Sequence, residues 1–204
     1  MSNNFWTEEY FCSPDFEDMY NYIPDHPEHA LVFYSSAEVE HGDELFYQLC
    51  VFEEYPQNKY ADCEKELADV FSKLTTKNKI VAYAASRKFV RNKDFIRLSG
   101  LDKLQLKNLI EFCDTRQLLS SRADADSFLL CATRGLASTC ALAVEWKILF
   151  LMQDLHGCIL YNEDSNKEGL AQVIKLLQEH GFISSGVDED RKTRGQGDGS
   201  VVSG

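Results

Sequence analysis

The chain has no long apolar run. Its most hydrophobic stretch, residues 136–155, is interrupted by Glu145, Lys147 and Asp154, and a membrane-spanning helix needs roughly 20 consecutive apolar residues. The first residues contain no positively charged segment followed by an apolar one, so we expect no export signal. These two absences argue against a membrane span and predict a cytoplasmic protein.

Paired cysteines and the common catalytic motifs are missing too. The seven cysteines are odd in number, no two are spaced as CxxC, and most lie in apolar stretches, as reduced core thiols do. GxSxG and HExxH do not occur either. We therefore predict a reduced protein that is not an enzyme and holds no metal and no cofactor.

Basic residues are nearly absent from the first third of the chain. Residues 1–70 contain seventeen Asp or Glu and only two lysines, Lys59 and Lys65, whereas residues 71–120 contain eleven Lys or Arg and four acids. The first segment also contains fourteen of the 24 aromatic residues, unlike a solvated acidic tail. We predict a folded electronegative surface that repels nucleic acid and anionic membranes and attracts basic proteins.

Hydrophobic patterning predicts an α+β fold whose N-terminal part contains an antiparallel β-hairpin with helices. Residues 30–40 and 44–53 are rich in Val, Phe, Tyr and Leu, and a two-residue turn at His41 and Gly42 would join them as a hairpin. Acidic side chains would then crowd the hairpin tip.

The rest of the first region alternates helix and strand. Apolar residues at helical spacing predict a helix over residues 62–74, and two further helices are expected at 15–20 and 99–113. A strand is expected at 79–84.

Residues 121–183 predict a β-α-β-α unit. The strands are expected at 127–132 and 158–161 and the helices at 136–156, which is apolar on nearly all sides, and at 165–177. If the two strands share a sheet, a right-handed crossover makes them parallel.

The polar residues 120–126 are the best internal boundary. They separate an acidic, aromatic, hairpin-containing region, 1–120, from the β-α-β-α region, 121–183, and we expect the two to pack as one globular unit. From residue 184 the chain consists largely of Gly, Ser and charged residues, so 184–204 are predicted to be disordered.

His26, Glu28 and His29 superficially resemble a metal site. Pro27 disfavours a helix here, and no second cluster in the sequence supplies further ligands. We therefore expect a surface turn rather than metal ligation.

Two other groups resemble sites for phosphate chemistry. Asp126 with Glu145 and Lys147 resembles the acidic and lysine residues of metal-dependent nucleases, but these need a strand, and we predict a helix at 145–147. Arg134 and Gly135 would form a strand-to-helix connection that could bind an anion, although one glycine is weak support. We interpret both groups as structural.

The basic residues 87–97 are the one segment suited to nucleic acid, because Phe89 and Phe95 lie among the charges. We expect this segment instead to pack against the acidic first third or to be a solvated face.

Several short elements in residues 13–51 carry a resemblance to a known family. They are Ser13-Pro14-Asp15, Tyr22-Ile23-Pro24-Asp25, Glu40-His41-Gly42-Asp43-Glu44-Leu45-Phe46 and Leu49-Cys50-Val51. This pattern is similar to the opening of the bacterial immunity protein 8 family. The resemblance implies a protein that protects a toxin-producing cell by binding a polymorphic toxin.

The charge pattern and the resemblance together predict an immunity protein that binds a basic toxin or nuclease domain and occludes its functional face. Carboxylates would set orientation and association rate, and aromatic residues would supply most of the affinity. The candidate partner-binding acids are Asp15, Glu17, Asp18, Glu38, Glu40, Asp43 and Glu44, and the candidate aromatic anchors are Tyr20, Tyr22 and Tyr34.

Two other classes of protein remain open. A phage-type DNA mimic that blocks a defence nuclease would space its carboxylates like phosphates along an elongated body. An enzyme would need a cleft in the second half, for example one that gathers Cys131, Arg134 and His156. The sequence does not predict the oligomeric state.

Overall fold

One antiparallel sheet forms the centre of the protein. The computed structural model describes residues 4–37, 59–86, 100–153 and 155–186. Their strands are β1 (Ala30–Ser35), β2 (Ile80–Ser86), β3 (Gln117–Leu119), β4 (Ala137–Ala143), β5 (Ile148–Gln153), β6 (His156–Leu160) and β7 (Phe182–Gly186). They lie in the order β3-β2-β4-β5-β6-β1-β7.

Helices cover one face of this sheet. The α-helices of the described residues are α1 (Phe16–Asp25), α2 (Lys59–Thr75), α3 (Lys103–Phe112), α4 (Arg122–Thr133) and α5 (Lys167–Glu179). Phe71 of α2, Phe128 of α4 and Val173 of α5 pack together with Phe150 of β5 in the largest apolar cluster. We call this side, with α2, α4 and α5, the helical face.

The N-terminal residues cover the opposite face. Residues 4–37 form short 3-10 helices at Asn4–Trp6, Glu8–Cys12 and Pro27–His29 in addition to α1 and β1. Phe5, Phe11 and Met19 are buried against Leu149 and Leu151 of β5. Because successive strand side chains point to opposite faces, β5 contributes to both cores. We call this side the N-terminal face.

The α+β class predicted from the sequence is confirmed. The helices predicted at 15–20, 62–74 and 99–113 correspond to α1, α2 and α3, and the strand predicted at 79–84 is β2. The third helix begins only at Lys103, because its capping box is formed by Asp102 and Gln105.

The predicted N-terminal hairpin is wrong for β1. Residues Ala30 to Tyr34 pair with β6, and Leu31 to Ser35 pair with β7. Because a strand has only two edges for backbone hydrogen bonds, this part of β1 cannot also pair with residues 44–53. Those residues lie outside the described ranges. Local turn signals favoured a neighbour in sequence, whereas the sheet placed β1 between two strands from the other end of the chain.

The predicted β-α-β-α order of residues 121–183 is wrong as well. Residues 127–132 belong to α4, and residues 136–156 contain β4, β5 and the first residue of β6. All strand pairings are antiparallel rather than parallel. The reason is that these strands are buried on both faces, so they lose the alternation that distinguishes a strand from a buried helix. The strand at 158–161 and the helix at 165–177 are confirmed as β6 and α5.

The polar stretch predicted as an internal boundary is the start of a helix. Ser121 caps α4 by accepting a hydrogen bond from the backbone N–H of Asp124. The sheet contains β1, β2 and β3 from residues 1–120 together with the four later strands. The predicted disordered tail begins too early, because residues 184–186 are part of β7, and residues 187–204 are outside the described ranges. Within those ranges no helix has the length and apolarity needed to cross a bilayer.

Candidate functional site

The exposed side of α1 is acidic. Asp15 caps this helix, since its side chain accepts hydrogen bonds from the backbone N–H groups of Glu17 at 2.9 Å and of Asp18 at 3.4 Å. The side chains of Glu17 and Asp18 are exposed in the first turn, where the helix dipole favours negative charge. Asp25 is exposed at the other end of the helix. Acidic groups therefore lie at both ends of α1.

Little positive charge compensates these acids. Residues 4–37 contain seven Asp or Glu and no Lys or Arg. Among the described residues, the salt bridge that reaches this layer joins Nζ of Lys79 to a carboxylate oxygen of Glu8 at 2.7 Å. Within the same residues, Glu17, Asp18 and Asp25 form no salt bridge with Lys or Arg. The described residues of the N-terminal face thus present an electronegative surface.

The three candidate aromatic anchors differ in exposure. Tyr20 on α1 is 43% exposed, beside the acids. Tyr34 is half-buried on β1, between His156 and Ile183 of the neighbouring strands. Tyr22 is only 6% exposed and belongs to the core of the N-terminal face, so its assignment as an anchor is corrected. Its apolar ring completes that core, a role that the sequence pattern did not separate from partner binding.

The remaining candidate acids, Glu38, Glu40, Asp43 and Glu44, lie outside the described residues, as does the basic segment 87–97. The exposure of these acids and the nucleic-acid alternative therefore stay predictions, whereas a hairpin that pairs β1 with residues 44–53 is ruled out by the pairing of β1.

A network of hydrogen bonds ties the end of α1 to the end of β6. The hydroxyl of Tyr22 donates to the backbone oxygen of Tyr161 at 3.1 Å, and the hydroxyl of Tyr161 donates to the backbone oxygen of Glu28 at 2.6 Å. The backbone N–H of Tyr161 donates to the oxygen of His29 at 3.0 Å. Residues 27–29 form a single 3-10 turn at the surface, as the sequence predicted, and this network fixes its backbone.

Burial raises the pKa of the Tyr22 hydroxyl, and the negative charge of Glu28 raises it further. The pKa of Tyr161 is raised by the same two causes, in the same order. Both hydroxyls therefore stay protonated and remain hydrogen-bond donors at neutral and mildly alkaline pH.

A polar cavity of about 380 Å³ opens beside this network. Its walls are the side chains at the end of α1 and the loop between β6 and α5, and they comprise Tyr22, His26, Glu28, His29, Asn162, Glu163 and Asp164. The loop is held by Asn162 and Ser165, because the backbone N–H of Asn162 donates to Oγ of Ser165 at 2.9 Å. The cavity combines two imidazoles with three carboxylates.

Sequence reasoning missed the second half of this cavity. Glu163 and Asp164 are more than a hundred positions from His26 in the chain, and no local pattern relates the two segments. Only the pairing of β1 with β6 brings them together.

The strand-to-helix connection predicted at Arg134 and Gly135 has the wrong order of elements, but the two residues are structural, as we interpreted them. These residues follow the C-terminus of α4 and lead into β4, whereas anions bind at helix N-termini. The guanidinium of Arg134 is buried and donates to both carboxylate oxygens of Glu64, at 2.8 and 2.5 Å. Thr133 also donates to Glu64 through its hydroxyl, at 2.5 Å. Arg134 therefore pairs α4 with α2.

Glu145 and Lys147 lie in the turn between β4 and β5, not in a helix. A carboxylate oxygen of Glu145 accepts a hydrogen bond from the backbone N–H of Lys79 at 2.8 Å, Lys147 lies 3.5 Å from Asp164, and Asp126 pairs with Arg122 at 2.7 Å. The nuclease-like group is thus divided among three separate contacts.

The residues proposed for an enzymatic cleft occupy different surroundings. Cys131 of α4 is fully buried in the apolar cluster that α4 shares with α3, with its Sγ 3.9 Å from Sγ of Cys113. Arg134 binds Glu64, and His156 begins β6 opposite Tyr34. A second cavity, of about 300 Å³, lies between α2 and α4 and is lined by other residues.

No protein-family model matches this chain, and no curated protein or solved structure shows significant similarity to it.

Proposed function

We propose that this chain is a cytoplasmic immunity protein, which binds a basic toxin effector through α1 and occludes the functional face of that effector. The observation that carries the proposal is the uncompensated acidic surface of α1, with Glu17, Asp18 and Asp25 exposed and without Lys or Arg partners among the described residues. The resemblance of residues 13–51 to the immunity protein 8 family supports the same function.

The size of the acidic surface suits a protein partner. The ten residues of α1 extend for about 15 Å, and the carboxylates of Glu28, Glu163 and Asp164 line the cavity beyond its last turn. A patch of this length fits within an interface of standard size, which buries about 800 Å² on each partner. Lys and Arg side chains of a basic protein would pair with these acids, and Tyr20 would supply apolar contact among them.

Buried side chains hold helix α1 against the sheet. Met19 is fully buried and Tyr22 nearly so, and both pack against the sheet on the inner side of α1. Asp15 closes the N-terminus of the helix by capping. A surface that is ordered before binding loses little conformational entropy in the complex, as a tight inhibitor requires.

The test uses two charge-reversal variants with the same change in net charge. The first, Glu17→Lys/Asp18→Lys/Asp25→Lys, alters α1. The matched control, Glu111→Lys/Glu168→Lys/Glu179→Lys, alters exposed acids on α3 and α5. Each protein is immobilised and exposed to an extract of the native host, and retained proteins are identified by mass spectrometry.

We expect the wild-type chain and the control to retain the same basic protein, and the α1 variant to lose it. Coexpression of the chain with that protein should then protect cells from its toxicity. Retention by all three forms, or a retained partner that is acidic, would contradict the proposal. Retention of a defence nuclease with no toxin function would favour the DNA-mimic alternative.

A further inference from the structure

Two imidazoles and one carboxylate converge at the end of α1. The Nδ1 atoms of His26 and His29 each lie 3.8 Å from Oε1 of Glu28, and the ligand atoms that the three side chains offer all lie within 4.8 Å of one another. A tetrahedral zinc ion with bonds of about 2.0–2.2 Å holds its ligand atoms roughly 3.3–3.5 Å apart. Small side-chain rotations would therefore bring these atoms to ligating distances.

Although the sequence alone predicted a surface turn without a metal here, we propose that His26, Glu28 and His29 bind a divalent transition-metal ion, with Zn²⁺ as the favoured ion. Imidazole nitrogen suits Zn²⁺ and its neighbours in the transition series, whereas Mg²⁺ and Ca²⁺ prefer sites made of oxygen ligands. Three protein ligands leave a fourth position open toward the cavity of about 380 Å³ that these residues line.

The ligand turn is held in place without the metal. Tyr161 fixes the backbone oxygens of Glu28 and His29 through its hydroxyl and its backbone N–H, at 2.6 and 3.0 Å. The ring of Tyr22 packs against the ring of His26, with centroids 4.4 Å apart. Because the backbone and one ring are already ordered, binding costs less conformational entropy than it would in an open loop.

The surrounding charge favours a cation. Glu163 and Asp164 line the same cavity from the opposite loop. Lys147 lies 3.5 Å from Asp164 and partly offsets its charge, whereas Glu163 forms no salt bridge within the described residues. Together with Glu28, these carboxylates make the cavity electronegative.

A second group of side chains is a poorer cation site and supplies the control. Glu66, Asp69 and His180 also come together between α2 and the end of α5. However, Nε2 of His180 lies 2.6 Å from Nζ of Lys73, and Asp69 already pairs with Arg122. Positive charge from the protein thus occupies the place that a metal would take.

The test is calorimetric titration of the full chain with ZnCl₂ after treatment with a chelator. A Cys12→Ser background removes the one cysteine that is exposed among the described residues. The variants are His26→Gln and Glu28→Gln, and the control is His180→Gln. His26 and Glu28 have side chains that are 44% and 62% exposed, so we expect both variants to fold, as checked by circular dichroism.

We expect one Zn²⁺ to bind per chain in the parent and in the control. Binding should be weakened by more than about tenfold in both variants, since even outer partners of a metal site are worth about 10- to 100-fold in affinity. Mg²⁺ should not bind. Co²⁺ bound at the same site should absorb in the visible range without the charge-transfer band of a thiolate ligand. Absence of Zn²⁺ binding, equal binding by all four forms, or a loss in the His180→Gln control would overturn the proposal. The result does not depend on any protein partner, so it stands or falls separately from the immunity function.

Discussion

The two faces of the sheet treat acidic side chains differently. On the helical face, several acids have partners within the fold: Glu64 binds Arg134, and Arg122 lies between Asp69 and Asp126. Two of these three pairs, Glu64 with Arg134 and Asp69 with Arg122, join α2 to α4. Removing such an acid changes the internal packing of the molecule.

On the N-terminal face the pattern is reversed. Lys79 pairs with Glu8, but Glu17, Asp18 and Asp25 on α1 have no Lys or Arg partner among the described residues. Aromatic packing, rather than ion pairing, holds this layer on the sheet. Among the described residues, the helical face thus pairs several acids inside the fold, whereas the acids of α1 stay exposed without Lys or Arg partners. Recognition of a basic partner is the use that we propose for them.

The largest expected effect is a loss of stability when the buried ion pair on the helical face is broken. In Arg134→Met, the carboxylate of Glu64 stays buried without its guanidinium, and we expect a loss of about 3–5 kcal/mol in the free energy of unfolding. Urea denaturation measures it. The double variant Glu64→Leu/Arg134→Met should recover part of the loss, because it removes both charges.

The control for this pair is Lys175→Met. Lys175 is exposed and lies 3.7 Å from Glu179 on α5, so its loss should cost less than about 1 kcal/mol. If Arg134→Met were equally mild, the buried pair would not support the fold as described.

A somewhat smaller effect is expected where β6 packs against β1. A Cβ atom at Gly157 would collide with the backbone oxygen of Leu151 on β5 and would lie 2.7 Å from Cζ of Phe33 on β1. Gly157→Ala should therefore destabilise the protein by about 1–3 kcal/mol, as overpacking does. Thermal unfolding followed by circular dichroism measures the loss. An unchanged melting temperature would show that the sheet does not hold these residues so closely.

Asp124 stabilises the first turn of α4 through hydrogen bonds from Ser120. The carboxylate of Asp124 accepts hydrogen bonds from the backbone N–H and the hydroxyl of Ser120, both at 2.9 Å, and these bonds lower its pKa, the backbone bond most of all. A lowered pKa stabilises the folded state above the ordinary carboxyl range, and this contribution is lost as pH falls through the folded-state pKa.

Asp124→Asn should therefore cost about 0.5–1 kcal/mol near neutral pH, and the difference from wild type should shrink in acid. Urea denaturation at about pH 7 and about pH 3 makes the comparison. A difference that stayed constant between the two conditions would rule out the carboxylate as its source.

The smallest expected effect is a gain in the free energy of unfolding rather than a loss. Asp25 is the last residue of α1, where the helix dipole disfavours a negative charge. Asp25→Lys should raise the free energy of unfolding by about 0.3–1 kcal/mol while weakening partner binding. Urea denaturation checks the first effect, and a destabilised variant would show that Asp25 contributes to folding.

The helices and strands that could be predicted from the sequence are those whose pattern lies within neighbouring residues. Helices α2 and α5 each carry one apolar stripe, and the spacing of its residues in the sequence predicted both helices. Strands β4 and β5 are apolar on both faces because two layers cover them, and this removed the alternation needed to recognise them. The neighbours of β1 come from distant residues, which no local pattern encodes.

The candidate site shows the same division. The acidity of α1 follows from composition alone, and Asp15 capped the helix where one was expected. Tyr20 and Tyr22 are close in sequence, yet one is exposed and the other buried, because only tertiary packing decides which side of α1 meets the sheet. The cavity that joins His26 to Glu163 depends on the position of β6, so the sequence did not predict it.

The most direct test of a recognition face on α1 is the association rate constant with the partner captured from the host, measured by stopped flow at low and at physiological salt. We expect the wild-type rate to fall by about tenfold or more as salt screens the surface charge, and the Glu17→Lys/Asp18→Lys/Asp25→Lys variant to associate slowly at both salt concentrations. A wild-type rate that is independent of salt and equal to that of the variant would contradict the account.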